Sequence, residues 1–159
     1  MKVQLKPIGV VHTPFRTPEG MPVQPAGAKG VKGTVEVFPE FEEGLHDLAG
    51  FSHIILVYLF HRSKGFALRV VPFMDTKLRG VFATRAPKRP NPIGLSVVRL
   101  RRIEGCTLHV EDLDILDGTP VLDIKPYVPE FDKLRGARTG WLDKKRRAVR
   151  RKRADKRFA

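Results

Sequence analysis

The stretch FATRAPKRPNPIGLS, from Phe82 to Ser96, combines residues that could hold an anionic ligand with residues that stiffen the backbone. Its three prolines fix their own φ and bias the preceding residues to extended geometry, so the loop loses little entropy on binding. Arg85 could bind a carboxylate or phosphate through two hydrogen bonds, and Asn91 offers amide donors and an acceptor. The residues alone leave two interpretations open, a preformed ligand-binding wall and a rigid basic turn.

A second stretch, DILDGTPVLDIKPY, gathers polar residues near one predicted strand end. The segment Asp117–Gly118–Thr119–Pro120 is typical of a tight turn, and a turn alone would account for it. The following strand also carries Asp123, Lys125 and Tyr127. These groups make the stretch a second candidate for a functional site.

Other patterns that would indicate catalysis or metal binding are missing. The sequence contains no glycine-rich phosphate loop, no G-x-S-x-G and no H-E-x-x-H. Its five histidines lack the spacing of metal ligands, so we predict no metal site. Ser52 and His53 are neighbours on a predicted strand and should point to opposite faces. Cys106 is the single cysteine, which excludes an internal disulfide framework.

Positive charge is concentrated at the end of the chain. Residues 132–159 contain thirteen of the 30 basic and three of the 17 acidic residues, so they carry +10 of the formal net charge of +13. Such a field favours nucleic acid, although a solvated tail without a specific partner has the same composition. No apolar run approaches the ~20 residues of a membrane helix and no signal peptide opens the chain. We therefore predict a soluble, cytoplasmic protein without membrane contact.

Alternating and β-branched segments predict at least seven strands before residue 132, with turns between them and no βαβ units. This pattern favours an antiparallel barrel or sandwich with a short helix within residues 39–50. The apolar phase of TLHVEDLDIL slips at Glu111–Asp112, which predicts a β-bulge. Residues 139–159 contain good helix formers and no proline. We therefore divide the chain into a β domain, residues 1–131, and a basic extension, residues 132–159, that is predicted to be helical.

GVFATRAPKRPNPIGLS and DILDGTPVLDIKPY, together with IGVVHTPF and GLHDLAGFSHIILVYLFH, resemble the TsaA-like (TrmO) family over about residues 6–131. The resemblance implies an all-β fold with a single antiparallel barrel that binds S-adenosylmethionine and forms a homodimer. It further implies methylation of N6 in N6-threonylcarbamoyladenosine, the modified base beside the anticodon of certain tRNAs. Two alternatives remain: a methyltransferase of the same fold acting on another RNA or a small molecule, and a non-catalytic RNA-binding protein.

The resemblance also assigns residues. Arg62 stands where the family pattern has glutamine, which weakens the assignment of a cofactor contact to this position. The expected donor-binding residues are Pro22, Val23, Gln24, His61, Arg62, Arg85, Leu95, Asp117, Gly118, Thr119 and Pro120.

The nitrogen that receives the methyl group must lose a proton, either to a side chain or to water, and the candidate side chains are Asp117, Tyr127 and His61. For substrate contacts we expect Lys88, Arg89 and Asn91, with Lys88 or Arg89 pairing with the carboxylate of the threonylcarbamoyl group. The extension is expected to supply tRNA affinity, so that truncation after Phe131 leaves donor binding intact.

Overall fold

A computed structural model describes residues 1–148 and 151–158 of the chain. Its β domain contains eight strands. They are β1 (Gly9–His12), β2 (Lys32–Val37), β3 (His53–Leu59), β4 (Arg69–Val70), β5 (Arg79–Gly80), β6 (Ile93–Glu104), β7 (Thr107–Glu111) and β8 (Thr119–Pro126). Six of them close into one barrel in the order β1-β2-β7-β6-β3-β8, and β4 and β5 form a separate ribbon. Every pairing is antiparallel, which confirms the predicted all-β barrel.

Strict alternation of side chains fills the barrel interior. In β3, Ile54, Leu56 and Tyr58 are buried while the residues between them are half-buried, as the period of two in a strand requires. Val98 and Leu100 of β6 continue the same core. Because the barrel is closed, its six strands leave no unpaired edge along the sheet.

Strand directions place several strand ends at the same end of the barrel. Leu59 at the end of β3 lies opposite Ile93 at the start of β6, and Tyr58 lies opposite Val121 of β8. The end of β1 meets the start of β8, where Val11 pairs with Thr119. The loops that follow or precede these strands therefore converge at one end of the barrel.

Several local predictions differ from the structure. The predicted short helix consists of two 3₁₀ helices, Pro39–Leu45 and Leu48–Gly50. The register shifts occur at Val57/Tyr58 and at Leu100/Arg102, whereas the phase slip at residue 112 comes from Asp112 itself. Its φ of 66° lies in the left-handed region, so the chain turns after β7 ends at Glu111.

Within its described residues, the basic extension is only partly helical. A 3₁₀ helix spans Gly140–Ala148 and a shorter one spans Lys156–Phe158, while a four-residue α-helix, α1 (Pro129–Asp132), crosses the predicted boundary. The predicted helix also includes residues 149, 150 and 159, which lie outside the described residues. Among the described residues, no helix has the length and apolar character needed to cross a membrane.

Candidate functional site

A cleft of about 1270 Å³ opens where the loops converge. It is larger than the 300–1,000 Å³ typical of small-molecule pockets, so it can hold a cofactor together with part of a second ligand. Its walls come from the loop before residue 25, the turn after β3, the loop before β6, the segment before β8, and the basic extension. Of the predicted site residues, the cleft is lined by Pro22, Val23, Gln24, His61, Arg62, Arg85, Lys88, Arg89, Leu95 and Thr119.

Hydrogen bonds within the proline-rich loop hold it in shape. Nη1 of Arg89 donates to the carbonyl oxygens of Val81, Thr84 and Ala86, at 3.2, 2.8 and 3.3 Å. The hydroxyl of Ser63 donates to the carbonyl oxygen of Pro87 at 3.1 Å, which ties the loop to the turn after β3. The loop is thus a rigid wall of the cleft, and Arg89 acts within it rather than standing free for a substrate.

Two predicted donor-binding residues join opposite walls. Nη1 of Arg85 donates to Oε1 of Gln24 at 3.2 Å, and Arg85 is exposed to the cleft. A guanidinium has five N–H donors in a planar fork, so one contact to Gln24 leaves donors for an anionic ligand. Both residues were expected to contact the methyl donor, and the structure places them side by side on the cleft.

His61 lies on the cleft wall in contact with Thr119. The Thr119 hydroxyl donates to the carbonyl oxygen of Leu116 at 2.7 Å, and Nδ1 of His61 lies 3.3 Å from the same hydroxyl oxygen. Burial, followed by the nearby Arg62 charge, lowers the pKa of His61 below its usual 6.5. The imidazole is therefore mainly neutral at pH 7, and Nδ1–H donation to Thr119 would leave Nε2 as an acceptor.

Most of the Asp117–Pro120 turn lies outside the cleft lining. Oδ1 of Asp117 accepts a hydrogen bond from the Thr13 backbone N–H at 3.0 Å, and its own N–H bonds the carbonyl oxygen of Phe15. Gly118 has a φ of 75° that serves the turn, and Pro120 pairs with Val10 in the barrel wall. These contacts give Asp117 a structural role, because its carboxylate fastens the chain after β1 to the turn.

Tyr127 and Asn91 are also outside the cleft lining. Tyr127 lies beside His53, with ring centroids 6.3 Å apart, at the start of β3 and hence at the end of the barrel opposite His61. The antiparallel pairing of β3 with β8 requires this placement. Asn91 is exposed, and its carbonyl oxygen accepts from the Ile93 N–H. The expected opposite orientation of Ser52 and His53 is wrong, since Ser52 Oγ lies 2.9 Å from His53 Nδ1.

A buried polar chain in the cleft was missed by sequence reasoning. The Ser96 hydroxyl donates to Oδ1 of Asp114 at 2.6 Å. Its oxygen lies 3.0 Å from the Tyr58 hydroxyl, which donates to it because the Ser96 proton is already used. Burial raises the pKa of Asp114 to about 6, although the Ser96 hydrogen bond and the Arg85 charge oppose the rise. Burial and the Asp114 charge also raise the pKa of Tyr58.

Gly94 makes room for this chain. A Cβ at that position would lie 2.3 Å from Cε2 and 2.5 Å from Cζ of Tyr58, far inside ordinary carbon contact. The ring of Tyr58 therefore crosses directly over β6 and reaches Ser96, two residues further along. The sequence carried one available signal, since Asp114, the first residue of the stretch DILDGTPVLDIKPY, is flanked by the apolar Leu113 and Ile115.

The basic extension forms part of the cleft wall. Nε1 of Trp141 donates to the carbonyl oxygen of Ala83 at 2.8 Å, and the Phe158 ring packs edge-on against Phe73 with centroids 5.0 Å apart. The backbone of Ala154 exchanges hydrogen bonds with the chain around Gly20 and Met21, at 2.8 and 2.7 Å. The extension residues that line the cleft are Trp141, Leu142, Ala154, Asp155 and Phe158. The extension therefore shares this cleft with the β domain, although truncation after Phe131 was expected to leave donor binding intact.

One buried carboxylate anchors the extension. The Asp75 side chain is 2% exposed and binds both Arg79, through Nη2 at 2.7 Å, and Nζ of Lys145 in the extension. These contacts, with that of Lys145 the strongest, hold the pKa of Asp75 well below its usual range. Within the part of the chain that the structure describes, no group of three or more potential metal ligands comes together.

Comparison with known proteins identifies the family of this chain. The family model of the tRNA-methyltransferase O N-terminal domain matches residues 10–133. A probable S-adenosyl-L-methionine-binding protein of Pyrococcus abyssi is 58% identical over 153 residues, covering 96% of this chain and 83% of that protein. The tRNA (adenine(37)-N6)-methyltransferase of Homo sapiens is 34% identical over 134 residues, covering 80% of this chain but 30% of the human protein.

A solved structure shares the architecture. The crystal structure of TrmO from Pseudomonas aeruginosa matches with a TM-score of 0.76 and 43% sequence identity, covering 90% of this chain and 64% of that chain. This chain thus spans most of the archaeal relative but less than two thirds of the bacterial and human proteins. It belongs to the family of the tRNA-methyltransferase O N-terminal domain.

Proposed function

We propose that this chain transfers a methyl group from S-adenosyl-L-methionine to N6 of N6-threonylcarbamoyladenosine beside the anticodon of tRNA. Relatives named as methyltransferases and as S-adenosyl-L-methionine-binding proteins support a methyltransferase that uses this cofactor. One observation carries the proposal: the two stretches that bear the family pattern converge on one cleft, which also contains the half-buried carboxylate of Asp114. The identity of the tRNA base that receives the methyl group is the more specific part of the proposal.

The cleft residues fit this cofactor. Arg85 offers a guanidinium for the carboxylate of the methionine portion, and Gln24 holds it in position. Exposed apolar side chains such as Leu95 give the adenine ring a surface to pack against. The remaining assigned contacts are Pro22, Val23, His61, Arg62 and Thr119. The cofactor supplies an electrophilic methyl group on a sulfonium, so the protein's task is to align donor and acceptor, which can lower the barrier by ~7–11 kcal/mol.

Lys88 is the residue we assign to the carboxylate of the threonylcarbamoyl group. It lines the cleft and is half-buried, whereas Arg89 is engaged by three backbone carbonyls. Lys88→Ala should therefore reduce the preference for modified over unmodified tRNA, and Lys64→Ala provides a matched control at another cleft lysine. Equal discrimination by wild type and Lys88→Ala would remove this assignment.

The extension adds affinity for the tRNA backbone. Its thirteen cationic residues cannot all contact phosphate, and six contacts would give a slope of log K against log salt of roughly −4 to −5. Arg151 is exposed, so Arg151→Gln should weaken tRNA binding and reduce that slope by about 1 without changing donor binding. Truncation after Phe131 is an unsuitable test, because it also removes a wall of the cleft.

We further propose a cytoplasmic homodimer. Phe66, Leu68 and Phe82 are exposed on or beside the β4–β5 ribbon, and the hydrogen bond from the Val81 N–H to the Leu68 carbonyl oxygen sets Leu68 and Phe82 on adjacent segments. Neighbouring exposed apolar side chains often mark interfaces. Sedimentation equilibrium should give twice the monomer mass, and Phe66→Ser together with Leu68→Ser should shift the protein toward monomer.

Two measurements test the function. Titration calorimetry should show S-adenosyl-L-methionine binding that Arg85→Ala weakens, and nucleoside mass spectrometry should show a new N6-methyl product after incubation with threonylcarbamoylated tRNA. Donor binding without this product would point to the same fold acting on another RNA or a small molecule. Absence of donor binding would leave a non-catalytic RNA-binding protein.

A further inference from the structure

We infer that Asp114 accepts the proton that leaves the acceptor nitrogen during methyl transfer. The inference rests on the proposed function and names the group that completes its chemistry. Asp114 lines the cleft and is fixed there by the Ser96 hydroxyl, 2.6 Å from Oδ1. Asp114 is not among the residues that the family resemblance assigns to the site.

The hydrogen-bond chain fixes the direction in which Asp114 can act. Tyr58 donates to Ser96, and Ser96 donates to Asp114, so both hydroxyl protons point toward the carboxylate. A carboxylate has about four acceptor positions on its two oxygens, and the Ser96 bond leaves capacity for a further donor. Asp114 thus stands as the acceptor end of a chain whose other members are almost fully buried.

The chemical step balances with this group alone. The lone pair of the acceptor nitrogen forms the new N–C bond, and the S–C bond of the donor breaks with its electron pair remaining on sulfur, which becomes a neutral thioether. The nitrogen proton passes to the Asp114 carboxylate, and the resulting carboxylic acid later releases it to solvent. Because burial makes Asp114 a stronger base than an ordinary carboxylate, it is better matched to this transfer near neutral pH.

The three acceptors considered from sequence are weaker choices in this geometry. The Asp117 carboxylate is bonded to the Thr13 N–H, and Tyr127 lies at the opposite end of the barrel. His61 does line the cleft, but burial and the Arg62 charge lower its pKa, whereas burial raises the pKa of Asp114. His61 is therefore the rival that an experiment has to separate from Asp114.

Ionisable groups from several elements surround the cleft and must be considered in any pH profile. Burial and the Asp114 charge keep Tyr58 protonated by raising its pKa, and the Arg85 guanidinium lines the same cleft. Asp155 has a lowered pKa because Arg157 binds it. The described ionisable residues of the cleft lining are Tyr58, His61, Arg62, Lys64, Arg85, Lys88, Arg89, Asp114 and Asp155.

The decisive experiment measures single-turnover methylation of threonylcarbamoylated tRNA between pH 5 and 9. We expect the wild-type rate to fall tenfold per pH unit below about pH 6, where Asp114 becomes protonated. Asp114→Asn should be about 10²–10⁴-fold slower, the usual contribution of a general base, and should lose this acidic limb. Asp47→Asn is the matched control, because Asp47 is exposed and its left-handed φ of 63° suits asparagine.

Two further readouts separate a catalytic from a merely structural role. Ser96→Ala should move the acidic limb to higher pH, because the Ser96 hydrogen bond lowers the pKa of Asp114. A ¹³C NMR titration of the unliganded protein should show one carboxyl resonance titrating near pH 6 that is missing in Asp114→Asn. Calorimetry should show that Asp114→Asn still binds the donor, so that the loss of rate is not a loss of binding.

The outcomes are distinguishable. The role of Asp114 is overturned if the wild type is active and Asp114→Asn keeps both the wild-type rate and the acidic limb of the pH profile. The role of Asp114 is also overturned if the acidic limb disappears in His61→Gln and persists in Asp114→Asn. A wild-type protein that methylates no adenosine, despite binding the donor, overturns the proposed function and this inference with it.

Discussion

Replacing Asp114 by asparagine should make the protein more stable at alkaline pH. Burial raises the folded-state pKa of Asp114 from 3.8 to about 6, so between these values the folded protein binds a proton that the unfolded chain releases. The ionised carboxylate therefore opposes folding above pH 6, and the penalty vanishes as pH falls below about 4. A difference of about two pH units corresponds to ~3 kcal/mol at most, or a melting temperature ~6–12 °C higher for a chain of this size.

The test is differential scanning calorimetry of wild type and Asp114→Asn at pH 8 and pH 4. Asparagine keeps an oxygen that can accept from Ser96, and any packing change it introduces acts equally at both pH values. The variant's advantage should thus appear at pH 8 and shrink to below about 1 kcal/mol at pH 4. A melting-temperature difference that is the same at both pH values would refute the argument that burial destabilises the ionised carboxylate of Asp114. Asp47→Asn should show no pH-dependent difference.

Three other expectations concern the surroundings of the cleft. Gly94→Ala should lower the melting temperature by about 2–12 °C, because Tyr58 must move to admit the new Cβ at a cost of ~1–3 kcal/mol, whereas Gly44→Ala, with nothing within 4 Å, should not. Trp141→Ala removes a hydrogen bond and a cation–π contact from the cleft wall, so calorimetry should show donor affinity reduced about 5- to 20-fold. Asp75→Asn should have a lower melting temperature than wild type at pH 7, and the two melting temperatures should converge at low pH. Because the pKa of Asp75 is lowered in the folded protein, its ionised carboxylate stabilises the fold, and this stabilisation is lost as the pH falls through the lowered pKa.

The antiparallel strands could be predicted from sequence because strand patterning is local, whereas the choice of a closed barrel over a sandwich came from the family resemblance. Alternation in segments such as His53–Leu59 reflects one face turned to the core, and no distant contact is needed to see it. The same reasoning went wrong at Asp112, since a single residue in the left-handed region and a β-bulge both displace the apolar pattern by one position.

The central part of the site could not be predicted, because it depends on contacts between distant residues. Tyr58, Ser96 and Asp114 come from three separate segments, and only closure of the barrel brings their side chains together. Asp117 was predicted as a proton acceptor because it lies in the turn that the family resemblance assigns to donor binding. The structure shows instead that a carboxylate beside a turn serves the backbone, as Asp117 does for Thr13, while the aspartate between apolar neighbours is the one exposed to the cleft.

The basic extension was interpreted from charge alone, and its few apolar and acidic residues determine its placement. Trp141 and Phe158 pack on the loops around the cleft, and Lys145 reaches the buried Asp75. A segment that carries +10 is thereby held beside the site where the donor would bind. Phosphates attracted to its exposed cations would lie next to the cleft, so the same segment can enclose the cofactor and bring the RNA to it. Donor affinity should depend on its apolar residues and RNA affinity on its exposed charges, because these two sets of side chains face different partners.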